Sequence, residues 1–242
     1  VYRFIYYVQR DLRRWGRAPL NMFATMVMPA AWLLFMGLVM PVAYDGNYLD
    51  FVTPGILVMT VLTSGLAAGS SMMFDKELGY LNKFLALPAP RESILIGKIV
   101  FVTIRGLLQA TVIMFIALLI GASVQSVWYY VGTCVILALF SVVIACIGAT
   151  ASLSLHDYDT YAAFQSMVSM PLYFFSTSLV PFSSMPEWMK CIAECNPLTY
   201  ANDAIRALGT GDSPWLALAV LGVLATVMLL ICGWKFRRAT LN

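Results

Sequence analysis

The chain has 242 residues, 61% of them hydrophobic and 11% charged, with a formal net charge of +3 and a mean hydropathy of +0.82. No water-soluble domain hides that much apolar surface, so a soluble enzyme is excluded and an all-α, multi-pass membrane protein is the expected class. The positive charge is explained by where lysine and arginine fall along the chain, and it implies no nucleic-acid partner.

Residues 1–20 are the first predicted element. At about 100° per residue, Val1, Phe4, Ile5, Val8, Leu12 and Trp15 share one arc while Arg3, Arg10, Arg14 and Arg17 gather opposite. Such a helix lies in the interface with its apolar face in the inner leaflet, as a topogenic anchor alone or also as a dock for a cytosolic partner. The apolar run from Ala18 is too long for a signal core and lacks a small-residue cleavage site, so it is expected to persist as an anchor.

Charge-free windows at 18–44, 51–74, 106–156, 160–186 and 213–234 hold the spans. A bilayer crossing takes about 20 apolar residues, and 106–156 as one helix would reach roughly 77 Å. It must turn back at Gly121–Ser126, just ahead of Trp128, Tyr129 and Tyr130, which suit an interfacial aromatic belt. Six spans result: 22–44, 51–74, 99–120, 127–150, 160–180 and 214–235. In that arrangement the N-terminal arginines, Lys76, Lys83, Arg91, Lys98, Lys235, Arg237 and Arg238 fall on one side. Both ends are therefore expected to be cytoplasmic, with Arg105 snorkelling back to that side and only Lys190 and Arg206 opposite.

The cytoplasmic loop 75–98 reads as a helix from Asp75 to Leu87, a break at Pro88-Ala89-Pro90 and a restart towards Gly97-Lys98. Tyr80, Phe84 and Leu87 recur at helical spacing beside Lys76 and Lys83. The rod either inserts into a groove on a soluble protein or is a solvated hairpin resting on the membrane. On the external side, 181–212 is too apolar for a simple loop and reads as two short helices, Pro186 to Cys195 and Pro197 to Leu208, dipping into the outer leaflet. Glu187 with Lys190, Lys190 with Glu194, and Asp203 with Arg206 stand at pairing distance along them.

Other residues read more plainly. His156-Asp157-Tyr158-Asp159 is taken as a polar turn rather than a metal site. Cys191 and Cys195 are expected as free thiols, and Cys134, Cys146 and Cys232 as packing residues. Gly65-x-x-x-Gly69 allows close helix approach, within one subunit in preference to between subunits. Pro171 should kink span five before Tyr173, Phe174, Phe175, Ser176 and Thr177, and the first four of these form a candidate substrate path. No nucleophile–base pair or metal cluster suggests catalysis, and no Gly-x-x-x-x-Gly-Lys-Ser/Thr phosphate loop exists in the chain.

Taken in order, Thr53-Pro54-Gly55, Glu77-x-Gly79, Pro88, Arg91, Gly97-Lys98, Met185-Pro186-x-Trp188, Asn196-Pro197-Leu198-Thr199-Tyr200 and Ala204-Ile205-Arg206 resemble the membrane subunits of type-2 ATP-binding-cassette exporters. The pattern is that of the daunorubicin- and nodulation-factor-exporter permeases, with Lys76 standing where that family often has arginine. The resemblance implies a permease subunit that works with a cytosolic ATPase subunit and a second permease, a homodimer in preference to a heterodimer, in the cell membrane. ATP and Mg would sit on the ATPase and no cofactor on this chain. Glu77, Gly79, Tyr80, Lys83, Phe84, Pro88 and Arg91 would form the ATPase-coupling region, and Pro186, Asn196, Pro197, Tyr200 and Arg206 the external gate. The cargo would be an amphipathic drug, lipid or glycan-linked lipid. An ATP-independent secondary transporter or channel is the alternative, and it predicts buried ionisable residues or interrupted helices in two matching repeats, which the sequence lacks.

Overall fold

The computed structural model describes residues 3–39, 48–79 and 92–239, and the fold within them is all-helical. Among the described residues nine α-helices follow in order: α1 (Arg3–Gly16), α2 (Pro19–Val39), α3 (Tyr48–Glu77), α4 (Glu92–Ile120), α5 (Val127–Ser152), α6 (Tyr158–Phe174), α7 (Glu187–Glu194), α8 (Pro197–Thr210) and α9 (Trp215–Ala239). Five of them, α2, α3, α4, α5 and α9, are long and apolar enough to cross a membrane.

α3 is the axis of the bundle. Its apolar stretch is 78% buried, against 22% for α2 and 17% for α9, and it packs against α2, α4, α5, α6 and α8. Small residues let its neighbours close in. Gly65 faces Ile144 and Ala145, and Gly69 faces the Gly148 carbonyl and the Tyr161 hydroxyl, so the glycine pair serves packing inside this chain. The expected break between spans three and four is present: Gly121 takes φ +118°, and Ser126 caps α5 by accepting from the Tyr129 N–H.

The expected six-span count meets a difference at span five. α6 has 17 residues, about 25 Å of helix, and ends at Phe174, three residues past Pro171. Ser176, Thr177 and Ser178 follow, whose hydroxyls compete with helical bonding. The segment nevertheless runs the length of α3. Tyr158 donates its N–H to Glu77 at 2.7 Å, while Ser178 lies against Gly55, where an added Cβ would sit 2.6 Å from the Ser178 carbonyl oxygen. The stretch of α3 between Gly55 and Glu77 is about 33 Å long.

Two further expectations need correction. The helix read from Asp75 to Leu87 does not begin there: Asp75, Lys76 and Glu77 are the last turn of α3, which Gly79 terminates at φ +69°. The apolar face of α1 is not free for lipid either. Val8 is buried, Tyr7, Leu12 and Trp15 pack on the core beneath, and α1 lies along α4, leaving Ile5 and Tyr6 as its exposed apolar side chains.

Candidate functional site

The polar chemistry collects at the two ends of the bundle. At the end where α1 packs, Lys98 of α4 ion-pairs with Asp75 of α3 at 2.7 Å and with Asp11 of α1 at 3.1 Å. Arg10 closes the group, reaching Asp11 at 2.7 Å and Asp75 at 3.4 Å, and the Lys98 ammonium also donates to the Ser71 hydroxyl at 2.6 Å. Asp11, Asp75 and Lys98 are each at most 5% exposed. Buried charges persist only when paired, so this network fixes α1, α3 and α4 to one another. Gly97, one residue earlier, lets Tyr7 of α1 close on α4, where a Cβ would stand 2.9 Å from that of Tyr7.

The same end ties down the start of α6. Asp157 caps it, accepting from the Thr160 N–H at 2.7 Å and the Thr160 hydroxyl at 2.8 Å. These two donors hold the Asp157 carboxyl below the usual carboxylate range. A depressed folded pKa means that the cap's contribution is present above the unfolded value and is lost as pH falls through the folded one. Glu77 accepts from Tyr158, Lys76 donates to the Leu155 carbonyl at 2.9 Å, Lys235 of α9 donates to Ser154, and the Phe74 and Tyr158 rings lie 4.4 Å apart. Glu77 and Gly79 of the expected coupling region are thus on the end of α3. Tyr80, Lys83, Phe84, Pro88 and Arg91 lie outside the described residues.

At the opposite end, Asn196 does three jobs. It caps α8 by accepting from the Leu198 N–H at 3.0 Å, and its amide donates to the carbonyls of Leu172 at 2.6 Å and Phe175 at 3.2 Å. Pro197 takes the first helical position, where its missing N–H costs nothing. The non-helical stretch after α6 is satisfied by its own hydroxyls and by α8: Ser176 donates to the Tyr173 carbonyl at 2.7 Å, Asn202 to Ser178 at 2.7 Å, and Thr177 to Asp203 at 3.0 Å. Irregular backbone at depth requires this kind of enclosure. Arg206 stacks 4.0 Å over the Phe51 ring and donates to the Phe51 carbonyl at 3.1 Å. It borders a cavity of about 490 Å³ shared with Asp50, Ser123 and Tyr130.

The other expected gate residues sit nearby. Tyr200 donates to the Glu194 carbonyl at 2.7 Å, and Pro186 is the exposed cap position of α7. Glu187 pairs with Lys190 at 3.3 Å and Asp203 with Arg206 at 3.9 Å; Lys190 does not reach Glu194. The candidate path residues do not share one surface. Tyr173 and Ser176 are buried, Phe174 is 45% exposed, and Phe175 packs edge-on to Trp188 at 6.0 Å.

Asn196→Ala is expected to cost about 1–3 kcal/mol, because it strips one cap and takes the amide donor away from two part-buried carbonyls. Asn196→Asp keeps the cap acceptor yet faces those carbonyls with a carboxylate, so thermal unfolding should show no rescue. Wild-type stability in the aspartate variant would show that the amide donors do not matter.

Asp11, Asp75 and Lys98 were not recognisable in the sequence as a group, although Asp11 lies within about 40° of Phe4 and Trp15 on the helical projection. An acidic residue on an apolar face is the signal that marks it. The roles of Gly55, Ser178 and Asn202 left no comparable trace.

Comparison with known proteins places these features in a family. The profile described as ABC2_membrane, ABC-2 type transporter, matches residues 2–208. A putative transport permease ycf38 of Porphyra purpurea is 34% identical over 206 residues, covering 82% of this chain and 71% of the relative. A daunorubicin resistance ABC transporter permease protein, DrrB1 of Streptomyces coeruleorubidus, is 25% identical over 208 residues, covering 84% and 74%. The inner membrane transport permease YadH of Escherichia coli K12 is 24% identical over 196 residues, covering 79% and 76%.

Proposed function

The chain belongs to the ABC-2 type transporter family, as a multi-pass permease subunit rather than an ATPase, and from that premise we propose that it exports an amphipathic cargo, driven by ATP hydrolysed on a separate cytosolic subunit. The observation that carries this reading is the buried network of Arg10, Asp11, Asp75 and Lys98. It makes one rigid body of α1, α3 and α4 at the end where residues 80–91 link α3 to α4. A partner ATPase pushing on that linker, through Tyr80, Lys83, Phe84, Pro88 and Arg91, moves the whole axis of the bundle. Glu77 and Gly79 anchor the linker's near end, and Glu77 passes the motion to α6 through Tyr158.

The α1 end is cytoplasmic in this account, since the arginines of α1, Lys76, Lys98, Lys235, Arg237 and Arg238 all gather there. Segment 158–178 completes a sixth crossing beside α3, returning the chain's end to the side of its start. α7 and α8 re-enter the outer leaflet, a placement supported by Leu198, Ala201, Ala204 and Ile205 lying in the same core as the spanning helices. Asn196, Pro197, Tyr200, Arg206 and Pro186 then form an external gate hinged at Asn196. Phe174 and Phe175 offer the aromatic surface that cargo meets, while Tyr173 and Ser176 hold the turn behind them. Amphipathic cargo, whether drug, lipid or glycan-linked lipid, suits that surface, and one relative is named for resistance to a drug, daunorubicin. Two copies of the chain, with two ATPases, make the working unit.

The test is co-expression with the cognate ATPase, followed by co-purification and assay of ATP hydrolysis. Wild type should hold the ATPase and stimulate it; Phe84→Asp should lose both while the permease still folds. Equal association and stimulation in the variant would remove the coupling role from the linker.

A further inference from the structure

Between α1, α3 and α4, one turn or more inside the ion-pair network, lies a cavity of about 320 Å³ bordered by Arg14, Trp15, Ser70, Ser71 and Arg105. Its apolar walls are Phe74 and Phe101. The Arg105 Nε and the Trp15 Nε1 are both buried and have no hydrogen-bond acceptor among the described residues. Asp11 also borders the cavity, yet its carboxylate is committed to Arg10 and Lys98. Ser70 donates to Gln165 at 3.0 Å and Ser71 accepts from Lys98 at 2.6 Å. Beside Asn21 and Tyr158, what remains facing the space is therefore positive charge and an indole donor, with no uncommitted anion to match them among the described residues. A cation enclosed at membrane depth is costly without a counter-charge.

We infer that this cavity holds the phosphate of an anionic phospholipid drawn from the leaflet on the α1 side. Arg105, half-buried with its Nε enclosed, is the counter-charge, with a planar fork suited to phosphate oxygens. Trp15 donates its indole N–H, Arg14 meets the headgroup from the exposed rim, and Phe74 and Phe101 border the start of the acyl chains. A free anion would match the charges but has no use for the aromatic walls. The export reading matters here only for the choice of leaflet; the binding does not depend on a cargo or an ATPase.

Native mass spectrometry of the purified full chain in detergent, titrated with phosphatidylglycerol, tests this. Wild type should retain one phosphatidylglycerol, and Arg105→Gln should bind it about tenfold more weakly, the usual loss for a charge-assisted hydrogen bond. Trp15→Phe, which keeps the packing and removes only the donor, should weaken it a few-fold, with Lys190→Gln at the other end unchanged. Binding unaltered in Trp15→Phe and Arg105→Gln would overturn the site, and Trp15→Phe decides alone if the arginine variant does not fold. Displacement of the lipid by an equal concentration of inorganic phosphate would overturn the lipid as occupant.

Discussion

Lys98→Met is expected to destabilise the protein by about 3–5 kcal/mol, the cost of leaving buried carboxylates without their cation. Methionine keeps the packing of the lysine stem and removes only the charge. Asp75 and Asp11, each at most 5% exposed, would then face each other with Arg10 as their remaining cation. Arg10 sits closer to Asp11 than to Asp75, at 2.7 and 3.4 Å, so Asp75 loses most. Thermal unfolding in detergent reads the effect. Combining Lys98→Met with Asp11→Asn and Asp75→Asn should recover most of the loss, because the unpaired charges go with the lysine. If the single variant unfolds with the wild type, the carboxylates are not held by Lys98 and α1 is not locked to α3 and α4. The stability effect has a functional counterpart: a permease whose α1 is unlocked should hold its ATPase poorly even though residues 80–91 are intact.

Gly69→Ala is the second large effect. Its new methyl would overlap both the Tyr161 hydroxyl and the Gly148 carbonyl oxygen, and backbone cannot swing aside as a side-chain tip can. A cost of about 1–3 kcal/mol is expected. Tyr161 also donates to the Leu66 carbonyl at 2.6 Å, so pushing its ring away breaks the bond that seats α6 on α3. Adding Tyr161→Phe should relieve only part of the strain, since the Gly148 contact stays. Gly222→Ala in α9, where an added Cβ meets nothing within 4 Å, should leave the unfolding temperature unchanged. A Gly69→Ala protein that behaves like Gly222→Ala would mean that α3 and α5 are not in close contact.

The spanning helices were legible because apolar runs long enough to cross a bilayer are rare by chance. The break at Gly121 followed from the excess length of 106–156. α7 and α8 were legible to within two residues at each end, because Pro186 and Asn196-Pro197 are start signals that act locally. The region proposed as an external gate was read through that same motif, and Asn196 turned out to bind α6 as well as to cap α8. Longer-range features were not readable. Asp75 looked like the first residue of a loop, since nothing nearby in sequence reveals that Lys98 and Asp11 will enclose it. The early end of α6 depends on Thr177 and Ser178 finding partners in α8 while Ser176 turns back to the Tyr173 carbonyl, and the need for glycine at position 55 on what Ser178 does. One-dimensional periodicity identifies faces; it does not say which faces meet.

If, as proposed, ATPase contact at the α1 end moves an external junction around Asn196, the movement is readable at a neighbouring thiol. Cys195 immediately precedes that hinge and is exposed, as is Cys191. In a Cys191→Ser background, the labelling of Cys195 by a membrane-impermeant maleimide, in the co-expressed complex with ATP-free and ATP-trapped ATPase, measures the coupling directly. Labelling is expected from the outside only, at a rate that changes several-fold between the two nucleotide states and stays constant in Phe84→Asp. Labelling from the cytoplasmic side, or one rate in both states of the wild-type complex, would contradict it.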